Sequence, residues 1–292
     1  MASTRVLEGD IFVDERLASD DSLAESPPFA SGWRLYLLRF GILAVLLVIW
    51  ELISGNTREG EWALVDKFWM SQPSDILARL VDWISKGTLW FHMAITLQEM
   101  ATGFVIGSVG GVLIGFLLAQ NMVLARIFDP FIIAFYSIPK LALAPLFILW
   151  FGIGLEPKIV LVSTVVFLLV FLNTYSGVKD VDQEVIDVFR LMGASQRDLF
   201  TKIVLPSASP WILTGLKLAV PYSLIGAVVG EIMASNKGLG YLLMHSQGQF
   251  DTAGLFAAIF VLMIMGLLIN EVVNRAEEKL LRWKSAGRSG LA

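Results

Sequence analysis

The chain has 292 residues, 56% of them hydrophobic and only 16% charged, with a mean hydropathy of +0.70. A soluble domain of this length carries about 25% charged residues, so the composition excludes an ordinary soluble enzyme and describes a polytopic membrane protein. The net charge of −4 says little as a total because the charges are segregated, and with no cysteine disulfides and thiolate metal sites are excluded.

Residues 1–32 hold seven acidic residues, two arginines and the Pro27-Pro28 pair. No basic start leads into an apolar run, so this segment reads as a solvated cytoplasmic tail and not as a signal peptide. The remainder, 33–292, reads as one transmembrane domain. A first span is expected over about 35–53, since a spanning helix needs roughly 20 apolar residues. In the polar interval that follows, "PSDILARLVDWISKG" predicts an amphipathic helix over 74–86. Ile76, Leu77, Leu80, Trp83 and Ile84 share one face, which is expected to lie on the outer bilayer surface.

The second span, about 90–119, carries Gly103, Gly107, Gly111 and Gly115 at four-residue spacing. On a helix they form one smooth ridge for close approach by another helix, within one subunit or between two. The third span, about 127–151, is interrupted: "FYSIPKLALAPLFILWFGIG" places Lys140 between Pro139 and Pro145, each of which removes a backbone donor. Spans four to six are expected at about 159–178, 210–233 and 253–273. Assigning both termini, the 120–126 loop and the 179–206 insert to the cytoplasm puts 14 Lys and Arg inside and six outside, which sets N-in and C-in.

The cytoplasmic insert reads as two short helices around a glycine. The first runs from about Gln183 to Met192, with Val185, Val188, Phe189 and Met192 on its apolar side. Gly193 can take the left-handed conformation that ends it. Ser195 with Asp198 forms a capping box for the second. Leu199, Phe200, Ile203 and Val204 form its apolar stripe, and Pro206 is expected to stop it as the chain re-enters the membrane.

Charges within spans mark cavities or partners. Lys140 can be read as positive charge in an anion pathway, with Tyr136, Ser137 and Pro139 beside it, or as a partner of carbonyls freed by the prolines or a side chain that snorkels to an interface. Tyr222 and Glu231 in the fifth span are further candidates for the path; Glu231, near the outer end of that span, can also pair with a basic residue, contact a partner outside, or hold a plain interfacial position. Lys217 is expected to snorkel, and Glu99 to pair with a neighbouring helix. His92 is expected to be interfacial; His245, far away in sequence, sits in a polar outer segment and carries no clear signal.

The pattern Gly193, nine residues, Ile203, one residue, Leu205-Pro206 resembles the signature of bacterial ABC importer permeases, E-A-A, three residues, G, nine residues, I-x-L-P. Asp187, Val188 and Phe189 stand where that family has Glu-Ala-Ala. "SIPKLALAPLFILWFGIG" and "KGLGYLL" are similar to the nitrate/sulfonate/taurine-type subgroup. The resemblance implies an all-α type I importer permease fold with six spans in the bacterial inner membrane and a cytoplasmic coupling helix between spans four and five. It implies a transport subunit and not an enzyme. The coupling surface would comprise Asp187, Val188, Phe189, Arg190, Gly193, Ala194, Ser195, Asp198, Leu199, Phe200, Ile203, Leu205 and Pro206.

The implied partners are a cytoplasmic ABC ATPase dimer, a second permease copy, an extracytoplasmic binding protein and the lipid bilayer, with no nucleic acid. The chain lacks a G-x-x-x-x-G-K-[ST] phosphate loop, so ATP and Mg are expected on the ATPase and no cofactor on this chain. The expected cargo is a small anion such as nitrate, sulfonate, taurine or bicarbonate, with a vitamin or pyrimidine precursor as the alternative. An ion-coupled secondary transporter would need internal repeats and mid-span carboxylates, and an intramembrane enzyme an HExxH motif or histidine cluster. Neither class finds its features here, although Glu99 is one candidate mid-span carboxylate.

Overall fold

The computed structural model describes residues 32–55 and 63–280. The expected tail over 1–32 lies outside these residues, Gly32 excepted. The chain falls into two units, Met1–Ile53 and Ser54–Ala292. The described part of the first is helix α1 (Gly32–Ile53), apolar all round as a lipid-facing span requires.

The second unit opens with a two-residue parallel pairing of β1 (Ser54–Gly55) and β2 (Val65–Asp66), then α2 (Lys67–Met70) and α3 (Pro73–Ser85). Proline at the start of α3 is preorganised for a helix, and Gly87 (φ +75°) turns the chain after it. Here expectation and structure differ. Ile76 and Trp83 are buried and α3 packs on the long helices Thr252–Leu280 and Thr88–Gln120, while Leu77, Val81 and Ile84 are exposed. One amphipathic face cannot serve both bilayer and protein, so the helix divides it, fixed further by an Arg79–Asp251 ion pair at 2.9 Å.

The long spans follow: α4 (Thr88–Gln120), α5 (Met122–Ser137), α6 (Ala144–Phe151), α7 (Glu156–Lys179), then α8 (Gln183–Leu191), α9 (Gln196–Leu199), α10 (Leu205–Ala234), α11 (Leu239–Gly248) and α12 (Thr252–Leu280). Among the described residues five helices are long and apolar enough to cross a membrane. The segments Val123–Ser137 and Lys140–Phe151, bent by 81° at their break, make a sixth when the pair is counted as one span. Pro139 explains the bend: it holds Ile138 extended, a 3₁₀ turn (Lys140–Leu143) follows, and Pro145 starts α6 where its missing N–H costs nothing.

Helix α7 is the centre of the second unit, with α4 and α10 packed on it. Val162, Val166 and Val170 are fully buried, meeting Met100 of α4 and Ala219 and Ala227 of α10. The glycine ridge makes this possible. A β-carbon at Gly103 would stand 2.5 Å from Val162 Cβ, at Gly107 2.6 Å from the Ser163 carbonyl oxygen, at Gly111 2.8 Å from that of Phe167, and at Gly115 2.8 Å from Thr174 Cβ. The ridge therefore packs within this chain. Gly107→Ala is expected to force α4 off α7 and to cost roughly 1–3 kcal/mol or more. Gly110→Ala, whose β-carbon would stand 3.4 Å from a Phe167 ring edge, should cost little. Melting of the detergent-purified protein checks the contrast.

Pro206 is a correction. It does not stop a helix; it sits in the first turn of α10, and the helical path runs unbroken from Gln196 to Ala234. A π turn at Phe200–Val204, closed by the Leu205 N–H to the Phe200 carbonyl, lies immediately before it. That wider turn absorbs the donor proline lacks.

Candidate functional site

Three groups of residues stand apart from the packing core. The first is the cytoplasmic insert. Asp182 caps α8 by accepting the Glu184 N–H at 2.8 Å, and Arg190 pairs with Asp187 at 3.1 Å. Gly193 has φ +83°, and its N–H and that of Ala194 close onto the Arg190 and Phe189 carbonyls. Ser195 accepts the Asp198 N–H at 3.2 Å and donates its hydroxyl to the Asp198 carboxylate at 2.5 Å, while Lys202 pairs with Asp198 at 2.6 Å.

The two halves of the insert do different things. Leu199 and Ile203 are buried, and Phe200 stacks edge-on against Phe116 of α4, so the second half is anchored to the spans. The first half is free: Val185, Val188 and Phe189 are exposed, Met192 is 77% exposed and Leu191 89%. Leu191 escaped the sequence reading because it lies off the apolar periodicity of α8. The apolar side of α8 is thus uncovered while its successor is bolted to the bundle.

The second group lines a cavity of about 300 Å³ formed by Tyr136, Pro139, Lys140, Leu141, Val165, Leu168, Leu169 and Tyr222. Tyr136, Pro139, Lys140 and Tyr222, 86 residues apart at the extremes of sequence, thus meet in one place. Lys140 is the only charged residue of the lining. Its ammonium donates to the Tyr136 carbonyl at 2.7 Å and stands 4.5 Å from the Tyr136 ring centroid. Lys140 thus lines a cavity while its ammonium is partnered by the Tyr136 carbonyl. Ser137 is not among the lining residues; its hydroxyl donates to the Ile133 carbonyl.

Glu231 is likewise not in that lining. It is 1% exposed, at the other end of α10 in a third group. Lys158 donates to Glu99 at 2.5 Å and to Ser235 Oγ at 2.8 Å. Both charges of that pair are buried. The turn before α11 is held by three side chains: Gly238 N–H to His92 Nδ1 at 2.9 Å, Leu239 N–H to Thr96 Oγ1 at 2.9 Å, and Gly240 N–H to Glu231 at 2.6 Å. His92 is thus a buried acceptor and not an interfacial ring, and His245 stacks on Tyr241, which stacks on His92. Sequence reasoning missed Lys158, counting it among outer loop residues. It stands immediately before the apolar run that begins at Ile159, where a charge reads as the polar edge of a span, so no local signal marked it as buried. Lys217, expected to snorkel, pairs with Glu277 of α12 at 2.7 Å. Among the described residues no three His, Asp or Glu side chains come together as a metal site would need.

The spans, the broken third crossing and the capped insert describe a membrane transport subunit with a handle on one side. Residues 111–282 match the family described as binding-protein-dependent transport system inner membrane component. The chain belongs to that family: it is an inner-membrane ABC importer permease, a transport subunit and not an enzyme. It is 35% identical over 240 residues to the formylaminopyrimidine transport permease protein ThiX of Halalkalibacterium halodurans, covering 82% of this chain and 93% of that one. It is 32% identical over 255 residues to the putative aliphatic sulfonates transport permease protein SsuC of Bacillus subtilis, covering 87% and 89%. An inward-facing MetNI methionine ABC transporter structure shares the fold, with a TM-score of 0.55 at 21% identity over 62% of this chain and 91% of that one.

Proposed function

We propose that this permease forms the path for a small anion and is driven through its cytoplasmic insert by a separate ATPase. The observation that supports the cargo is the cavity at the break of the third crossing, where Lys140 is the only charged lining residue. Its volume, about 300 Å³, lies at the small end of ligand sites. The relative named for aliphatic sulfonates agrees with this reading.

A second reading rests on a different feature of the same cavity. The Lys140 ammonium is already satisfied by the Tyr136 carbonyl and ring, and the remaining walls are two tyrosines and aliphatic side chains. Such walls suit a flat heterocycle, the kind of compound for which the formylaminopyrimidine relative is named. Ligand binding to the partner binding protein separates the two. For an anion, Lys140→Ala should lower uptake roughly tenfold or more, the worth of one charge-assisted hydrogen bond, and Lys140→Glu should abolish it. Unchanged uptake in both variants removes Lys140 from the path.

In the same proposal Asp187, Val188, Phe189, Arg190, Gly193, Ala194, Ser195 and Asp198 sit in a groove of the ATPase, which carries the ATP and Mg, while this chain holds no cofactor. Leu199, Phe200, Ile203, Leu205 and Pro206 transmit its movement into α10. The exposed apolar side of α8 supports this division. Two copies of the chain pair in the importer, and a binding protein delivers cargo from outside.

A further inference from the structure

Two carboxylates and one lysine are buried together at the outer end of the bundle. Glu99 on α4 and Glu231 on α10 are each 1% exposed, and Lys158 on α7 is 5% exposed. The lysine is committed to Glu99 at 2.5 Å, and its second bond goes to Ser235. Glu231 receives no cation: its hydrogen-bond donors are the Gly240 N–H and the Thr96 hydroxyl, and its carboxyl faces that of Glu99. Glu99 Oε2 receives no donor at all, so negative charge exceeds its compensation. Lys237, the remaining cation near the pair, is exposed on the turn. His92 faces the turn through an unprotonated Nδ1, which accepts the Gly238 N–H.

Proton counting at Thr96 points the same way. Its oxygen lies 2.6 Å from Glu231 Oε1 and 3.2 Å from the His92 carbonyl, and it accepts the Leu239 N–H at 2.9 Å. A hydroxyl has one proton, and both neighbours at 2.6 and 3.2 Å would be acceptors if Glu231 were ionised. One added proton resolves this. Glu231 then donates to Thr96, Thr96 donates to the His92 carbonyl, and Glu231 Oε2 still accepts from Gly240.

We infer that the Glu99–Lys158–Glu231 cluster binds one proton, carried by Glu231 as a neutral carboxylic acid that clamps the Gly238–Gly240 turn. The cluster is then one carboxylate, one ammonium and one neutral acid, with no net charge among apolar spans. It requires no other ligand. Loss of the proton would place two carboxylates against one ammonium and leave Glu231 Oε1 and the His92 carbonyl competing for the single Thr96 hydroxyl proton.

Infrared spectroscopy of the purified transporter in lipid at neutral pH tests this, with glutamate ¹³C-labelled at the carboxyl. The expected result is a protonated-carboxyl carbonyl band that shifts with the label and disappears in Glu231→Gln. In Glu231→Asp, which keeps a carboxyl, the band should remain but no longer shift. Absence of the band from the wild type, or a labelled band that persists in Glu231→Gln or still shifts in Glu231→Asp, overturns the assignment. Should Glu231→Gln fail to assemble, the wild-type and Glu231→Asp spectra decide.

Discussion

Gly193→Val is expected to abolish ATP-driven uptake while the spans remain inserted. The residue sits at φ +83° between the free and anchored halves of the insert, and a β-carbon there would meet nothing within 4 Å. The cost is therefore all backbone: an L-residue in the left-handed region loses roughly 1–2 kcal/mol, and a β-branched one more. Valine would relieve that strain by leaving the left-handed region and swinging α8 away from its place. The anchored half, held by Leu199 and Ile203, would stay put, so the damage falls on coupling and not on folding. Gly193→Asn, which tolerates this conformation, should retain most uptake. Transport and ATPase rates, measured beside the yield of solubilised protein, check both variants, and normal uptake in Gly193→Val would count against the docking role.

Lys158→Met is expected to be the most damaging single change outside the glycine ridge. It leaves Glu99 buried without its cation, and removing one partner of a buried pair costs about 3–5 kcal/mol. The Ser235 bond is lost with it, loosening the turn into α11. Adding Glu99→Gln should recover much of the loss, because two neutral groups need no compensation. Thermal stability of the four members of this mutant cycle reads the coupling. A Lys158→Met protein as stable as wild type would contradict the role given to the pair.

Periodicity and hydropathy carried the architecture because a bilayer demands them: each span must be apolar over its length and closed in hydrogen bonds. The Gly103–Gly115 spacing announced a close helix contact, and the break around Pro139 announced a bend, though its 81° angle depends on how Ile138 and the 3₁₀ turn compose. The insert was legible because Gly193 and the Ser195–Asp198 box are local devices. What escaped was long-range. Lys158 and Glu99 are 59 residues apart, and Thr96 and Leu239 are 143 apart. No periodicity links such residues. Pro206 was misread for a related reason: its tolerance in a continuous helix comes from the π turn before it, a backbone adjustment without a sequence signature. Glu231 was legible as a charge near the outer end of its span, but its partners Thr96 and Gly240 were not.

The central claim is that this permease moves cargo only when an ATPase pulls on its insert. Proteoliposomes holding the permease, its ATPase and its binding protein, loaded with the compound that the binding protein carries, measure it directly. Uptake should require ATP inside the compartment that the insert faces and should stop with a hydrolysis-dead ATPase. Uptake that continues with the dead ATPase, or that follows an ion gradient, would contradict the account.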